Sequence, residues 1–209
     1  MIAGVLIAAG GSSRLGRPKQ LLPLGGRPLL AHTLGNALAS GLDEVVLVLG
    51  HEAAAVRRAL DASLGPTRAR IVVNPRYAEG QATSVVAGLD AVAADAVAVL
   101  FLLGDQPTVA PETIDALLAA FRTHSAPIVA PTYGGTIGNP VLFSRDLFPD
   151  LRGLTGDEGA RGVVRHRPGD VHRVETGLPS PPPDVDTDED YRALLDAWDA
   201  PGRPPDVEG

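Results

Sequence analysis

The sequence predicts a single-domain α/β protein: a Rossmann-like, three-layer α/β/α arrangement around a mostly parallel sheet. Three observations carry this reading. Short, near-continuous aliphatic runs recur up to about residue 130 of the 209, the pattern of strands covered on both faces. Between them lie stretches with apolar residues at helical spacing, and such alternation is the signature of a parallel α/β sheet. Hydrophobic residues make up 44% of the chain but aromatic ones only 4%, so the core is built from Ala, Val and Leu, as suits a sheet under alanine-rich helices. A chain of this length supports one sizeable core.

The expected strands are Ile2–Ala8, 69–73, 96–102 and Glu44–Leu49, with a shorter one at 128–130. The helices fall between them. Residues 28–40 place Leu29, Leu30, Thr33, Leu34, Ala37 and Leu38 on one stripe, and 52–64 and 84–94 follow. Residues 111–121 start with proline in the first turn and carry Ile114, Leu117, Leu118 and Phe121 at helical spacing. After Pro131 the alternation fails; one short strand-like run, 140–143, precedes a charged segment, a proline cluster and a capped helix from about Thr187. The domain is expected to span residues 1–198, with 199–209 a disordered tail.

Charge and composition exclude several classes. With 18 basic against 25 acidic residues and a net charge of −7, no face is available for a nucleic-acid backbone, which needs clustered Lys and Arg. Cysteine is absent, which removes disulfides, thiolate metal sites and a cysteine nucleophile. Five histidines form no cluster by spacing. The N-terminus lacks the basic region of a signal peptide. The longest apolar run, 96–103, is under half of the roughly 20 residues a membrane span needs. A cytoplasmic protein with neither membrane nor nucleic-acid partner is expected.

The first motif, "LIAAGGSSRLGRPKQLL" at 6–22, follows the first strand. Residues 9–27 carry no regular pattern, whereas most strand–helix connections are about 2–6 residues and much longer ones are functional or disordered. "LLPLGGRPL" is too apolar to be solvated. Loops at the carboxyl end of parallel strands are also where α/β sheets bind ligands. Two phosphate loops are rejected: Gly16 is followed by Arg17 and Pro18 rather than GK[ST], and Gly10, Gly11 and Gly16 lack the GxGxxG spacing. What remains is a set of backbone N–H groups on Gly10, Gly11, Ser12 and Ser13, approachable because side chains are small or missing. Arg14 and Lys19 add charge, and the planar fork of Arg14 suits a polyphosphate. The chemistry suggested is triphosphate binding.

This stretch resembles the signature loop of the MobA-like nucleotidyltransferases, roughly AGxSxRMGxxK, with Leu15 in place of the usual methionine. The resemblance implies a nucleotide-diphospho-sugar transferase-like fold and functional positions at Gly10, Arg14, Gly16 and Lys19. It implies transfer of a nucleoside monophosphate from an NTP to a phosphorylated acceptor, with Mg²⁺ as cofactor and pyrophosphate released.

The remaining motifs follow in the family's order. In "FLLGDQPTV", 101–109, Asp105 lies just beyond a strand end. It either caps the turn before the Pro111 helix or, on the same sheet edge as Gly10, holds Mg²⁺ against phosphates; the family's aspartate there is a magnesium ligand. "NPRYAEGQATSVVAGLD", 74–90, reads as a strand end, a glycine turn and a helix starting near Thr83 or Ser84. It resembles the family's base and ribose segment, which implies nucleotide contacts at Gly80, Gln81 and Ser84.

"GNPVLF", 138–143, suggests a fixed turn, and Asp157 and Arg161 of "TGDEGAR" are spaced for a helical salt bridge. Both strings resemble the acceptor side of the molybdenum cofactor (molybdopterin) cytidylyltransferase subgroup, which implies that Asn139, Asp157 and Arg161 face the acceptor. In "DVDTDEDY", 184–191, Asp186 or Thr187 caps a helix; the family's similar string completes the metal site, implying a ligand among Asp184 and Asp186. Asp188 stands where the family has proline.

Catalysis is thus expected from Arg14, Lys19 and Asp105. The N-terminal half would bind the NTP and residues 131–185 the acceptor. Ala8 and Ala9 resemble the cytidylyl subgroup and favour CTP, with molybdopterin as acceptor and a molybdoenzyme or its chaperone as protein contact. The competing expectations are a guanylyl- or other nucleotidyltransferase with a different phosphorylated acceptor, or a non-catalytic nucleotide-binding cofactor-assembly protein.

Overall fold

Strand β1 (Ile2–Ala8) is wholly interior, flanked on both sides by parallel neighbours. It pairs with β4 (Glu44–Leu49) from Ala3↔Glu44 to Ala8↔Leu49, and with β6 (Ala98–Leu103) from Ile2↔Ala98 to Ile7↔Leu103. The computed structural model describes residues 1–199. A small hairpin, β2 (Pro23–Leu24) with β3 (Arg27–Pro28), precedes α1 (Leu29–Ala39). Then β4 leads into α2 (Ala53–Leu64), β5 (Arg70–Val73), α3 (Gln81–Ala91), β6 and α4 (Pro111–His124). The second part holds β7 (Ile128–Tyr133), β8 (Thr136–Ile137), β9 (Val141–Ser144), α5 (Phe148–Arg152), α6 (Arg161–His166), β10 (Val171–Glu175) and α7 (Asp188–Trp198).

The sheet runs β10-β7-β9-β6-β1-β4-β5, with β8 appended to β7. All pairings along this path are parallel except those of β9, which is antiparallel to both β6 and β7. The expected mostly parallel three-layer fold is therefore found. Its two faces are visible in single strands: Val5 and Leu6, or Val99, Leu100, Phe101 and Leu102, alternate between two hydrophobic clusters. Leu30 and Leu34 of α1, Val56 and Leu60 of α2, and Ile114, Leu117 and Leu118 of α4 cover one side. Val85 and Leu89 of α3, Phe148 and Leu151 of α5, and Val163 and Val164 of α6 cover the other. Each such side chain contributes about 1.5–3 kcal/mol when fully buried.

Three expectations need correction. The loop at 9–27 is not patternless: a 3-10 turn at Lys19–Leu21 and the hairpin occupy its second half. Helix α3 begins at Gln81, before Thr83 and Ser84. Thr83 lies inside the first turn, where its Oγ1 bonds Arg76 O and Gly80 O at 2.9 Å each. The charged segment holds a short helix, α6, and leads into a sheet-edge strand, β10. β10 was invisible because its sequence, VHRVE, has only two apolar residues and packs at the rim. His124 and His172, apart in sequence, stack there with ring centroids 4.0 Å apart.

A third, satellite cluster bears most on function. Leu15, Leu22, Leu24 and Leu29 from the first loop, hairpin and α1 pack against Val185, Tyr191, Leu194 and Trp198. The Tyr191 hydroxyl donates to Pro23 O. Helix α7 is thereby fastened over the first loop. The expected tail at 199–209 lies outside the described residues except for Asp199, whose N–H bonds Leu195 O at 3.0 Å.

Candidate active site

Strand order reverses beside β1: the chain winds outward through β4 and β5, then returns to β6 on the other side. Ligands of open α/β sheets bind outside the strand ends at such a switch point. Ala8, Ala9 and Gly10 leave β1 there, and Leu103, Gly104 and Asp105 leave β6; Gly104 N bonds Ile7 O at 2.9 Å and keeps the two ends together.

The first loop is held from within. Gln20, 2% exposed, donates Nε2 to Ala8 O and Gly10 O, both at 2.9 Å. Ser12 has φ 52°, its carbonyl accepts from Leu15 N and Gly16 N, and its Oγ accepts from Lys19 N at 3.0 Å. The Ser12 side chain thus shapes the loop, and Gly16 takes a positive φ of 63° to complete the turn. Gln20 is a residue that sequence reasoning missed; a buried glutamine one step past a signature lysine carries no periodic signal.

The loop aims Lys19 at two acids from distant parts of the chain. Its Nζ donates to Asp105 Oδ2 and, at 2.8 Å, to Asp186 Oδ1. Burial works against the charged lysine, but the Asp105 and Asp186 carboxylates outweigh it and hold the ammonium above its usual range. Arg14 reaches Asp186 at 3.4 Å and is largely exposed. Arg17 lies outside this cluster: it pairs with Asp188 at 2.9 Å and sits over the Tyr191 ring. Asp188, the departure from the family string, therefore fastens α7 to the loop.

Asp184 stands behind the cluster. Its Oδ1 accepts from Gln106 Nε2 at 2.6 Å, and burial followed by the charge of Asp105 pushes its carboxyl above the usual range. Thr187 is the helix cap: its Oγ1 accepts from Asp190 N at 3.1 Å while Asp190 Oδ2 accepts from Thr187 N at 2.8 Å. Asp186 is thus left to face Lys19.

Two adjoining hollows lie at the ends of β1 and β6. One, of about 280 Å³, is lined by Ala8, Ala9, Gly10, Lys19, Ser84 and Asp105, together with Tyr77. The other, of about 200 Å³, is lined by Asn139, Asp157, Arg161, Arg165, Phe101 and Val141. Ile7, Gln81, Leu103 and Asp157 border both. Gly11, Ser12, Ser13, Arg14 and Gly16 lie on the loop outside the first hollow's lining. Ser84 is 3% exposed and bonded by Asn74 Nδ2 at 3.0 Å, so little more than its rim reaches the hollow. Asn139 is fixed from behind, where the Tyr133 hydroxyl donates to its carbonyl at 2.8 Å; burial pushes that phenol up to about 12, so it stays a donor.

Gly80 explains how the two hollows meet. A Cβ on it would stand 2.2 Å from Gly156 O, and its φ of 117° is a region L side chains avoid. Ala82 N bonds the same Gly156 O at 3.0 Å. The start of α3 is thereby joined to the 155–161 loop, bringing Gln81 and Asp157 together. Asp157 and Arg161 form no helical pair; Arg161 begins α6, and the pair formed is Arg165 with Glu158 at 2.9 Å.

A divalent cation was expected at Asp105. Among the described residues no group of three or more His, Cys, Asp or Glu is arranged to hold a metal by itself. Asp105 Oδ1 is nevertheless buried without a hydrogen-bond partner, and Asp186 shares Lys19 with it. Two carboxylates suit Mg²⁺, which commonly binds one or two acids and completes its shell with water and substrate phosphates. The residues fit half a site that a polyphosphate would complete.

A glycine loop with a lysine and two acids at the switch point, beside a second polar hollow, is the layout of a nucleotidyltransferase. Comparison with known proteins agrees. The chain belongs to the MobA-like NTP transferase family, whose domain matches residues 4–172. It is 37% identical to nicotine blue oxidoreductase of Paenarthrobacter nicotinovorans, over 93% of this chain and 96% of that protein. It is 32% identical to the purine catabolism protein PucB of Bacillus subtilis, over 91% and 94%. Among solved structures, Rv0371c of Mycobacterium tuberculosis matches with a TM-score of 0.84 and 37% identity, over 93% and 97% of the two chains. A manganese complex of Rv0371c matches with a TM-score of 0.79 and 34% identity, over 93% and 97%. No helix among the described residues is long and apolar enough to cross a membrane.

Proposed function

We infer that this enzyme moves a nucleoside monophosphate from an NTP, with CTP favoured, to a small phosphorylated acceptor of the molybdopterin class. The observation that carries the reading is the convergence of Lys19, Asp105 and Asp186, with Lys19 and Asp105 lining the first of the two adjoining hollows. Ala8, Ala9, Gly80, Gln81 and Ser84 would border the nucleotide, and Asn139, Asp157 and Arg161, within 131–185, the acceptor. The backbone N–H groups of Gly10, Gly11, Ser12 and Ser13, with Gly16 shaping the turn, would meet the phosphates. The work would be done in the cytoplasm; a molybdoenzyme or its chaperone would receive the product.

In the reaction, an acceptor phosphate oxygen bonds to the α-phosphorus as the bond from that phosphorus to the β-phosphate oxygen breaks, releasing pyrophosphate. No covalent enzyme intermediate is required. Lys19 and Arg14 hold the departing phosphates and neutralise the charge that develops there. The two hollows hold the reactants against one another, which converts a bimolecular encounter into an oriented one. Asp105 and Asp186 would hold Mg²⁺, with Asp184 behind them keeping Gln106 in place. When bound, the ion supplies charge neutralisation at the phosphates.

The test is pyrophosphate release with Mg²⁺, each NTP in turn, and molybdopterin. Release with CTP above the other NTPs is expected. Release with GTP or ATP instead would reassign the base, and none with any NTP would leave a cofactor-assembly role ahead. The Paenarthrobacter relative bears a redox name; a redox role for this chain would likewise give no pyrophosphate, so release separates the transferase from both alternatives.

A further inference from the structure

We propose that Lys19 is a resident counter-cation of the metal site, so that a divalent ion and the nucleotide each strengthen the binding of the other. This rests on the reading of Asp105 and Asp186 as metal ligands. The Lys19 ammonium lies between the two carboxylates and donates to both. Its side chain is 17% exposed and that of Asp105 13%, so neither charge can turn to water cheaply. The ammonium the site already carries thus competes with the ion the acids would bind; Arg14, also at Asp186, is largely exposed and can turn to water.

The physical consequence is a coupling. In the free enzyme a divalent ion entering between Asp105 and Asp186 must displace an ammonium that has no other partner. Asp184, which feels the charge of Asp105 from behind the cluster, has Oδ1 engaged with Gln106. A polyphosphate changes this, because its oxygens give Lys19 a new counter-charge and release the acids. Metal and nucleotide then assist each other through one side chain. By linkage the factor by which nucleotide raises metal affinity equals the factor by which metal raises nucleotide affinity. The arrangement also lets the acids be folded into a semi-buried site before any metal arrives, since leaving them unpaired there is costly.

The experiment is a titration of the protein with Mn²⁺, followed by the free-ion electron paramagnetic resonance signal, with and without CTP. Wild type should bind Mn²⁺ weakly alone and roughly 10-fold or more tightly with CTP, within the usual range of such couplings. Lys19→Met should bind Mn²⁺ alone roughly 10-fold more tightly than wild type and gain little from CTP. Lys19→Gln gives an independent reading of the same effect should the Met variant fold poorly, and Lys19→Arg, which keeps the charge, should behave as wild type. Asp105→Asn should lose tight Mn²⁺ binding even with CTP. If it does but the Met and Gln variants bind free Mn²⁺ no better than wild type, the counter-cation role is overturned while the metal ligands stand. If Asp105→Asn binds as wild type does with CTP, the ligand reading fails and this inference with it.

Discussion

Lys19 and Asp186, 167 positions apart, meet at 2.8 Å because helix α7 folds back over the loop that carries the lysine. The contact joins the beginning of the domain to its end. It also brings the α7 strap to the Lys19 cluster, since Asp186 immediately precedes the Thr187 cap.

Asp105→Asn tests the centre directly. It keeps the shape of the side chain and removes the charge that Lys19 pairs with. Metal-dependent pyrophosphate release should fall by at least about 100-fold, the scale of losing one preorganised electrostatic group. Full activity with Mg²⁺ in this variant would show that another residue bears the metal.

Arg14 and Arg17 separate phosphate contact from scaffolding. Arg14→Ala should lower turnover by roughly 10²–10³-fold, because it removes the cation that reaches Asp186 and would neutralise the departing phosphates. Arg17→Ala removes an exposed pair with Asp188 and should cost under about 1 kcal/mol of stability while leaving turnover near wild type. Steady-state kinetics on the two purified variants decide it; equal losses would merge Arg17 into the site.

Gly80→Ala places a methyl group against Gly156 O in a backbone region open almost to glycine alone. A destabilisation of about 1–3 kcal/mol is expected from the backbone alone. Relief of the clash requires the 155–161 loop to move, so acceptor KM should rise more than that for the NTP. An unchanged urea midpoint would mean that the start of α3 and this loop are not packed as described.

The capping box gives a pH dependence. Its hydrogen bonds, that from Thr187 first, hold the Asp190 carboxyl below its ordinary 3.8. A folded value lower than the unfolded one adds stability above 3.8 that is lost as pH falls through the folded value. Asp190→Asn should therefore lower the urea midpoint relative to wild type at about pH 6, and the gap should close by about pH 2. Thr187→Ala should cost about 1 kcal/mol at neutral pH. A gap independent of pH would sever the carboxylate from the cap.

Much of this was legible in the residues. Strands β1 and β4 fall on the expected bounds because both are buried on two faces and read as unbroken aliphatic runs. The first-loop positions, Asp105, and the segments at 80–84 and 155–161 were found from local composition and family strings. What escaped was whatever depends on distant packing. Gln20 is buried by β1 rather than by its own neighbours, β10 is a polar rim strand defined by pairing with β7, and Gly80 is constrained by Gly156.

The sequence by itself determined the fold class, the loop chemistry and the set of acids and cations at stake, because periodicity and residue type are local properties of the chain. Tertiary structure alone decided how those charges are shared. It put Lys19 between Asp105 and Asp186, turned Asp184 toward Gln106, and tied Arg17 to Asp188 in the α7 strap. Pairing between charges depends on distance and burial, and both arise when the strand ends and α7 converge on one edge of the sheet.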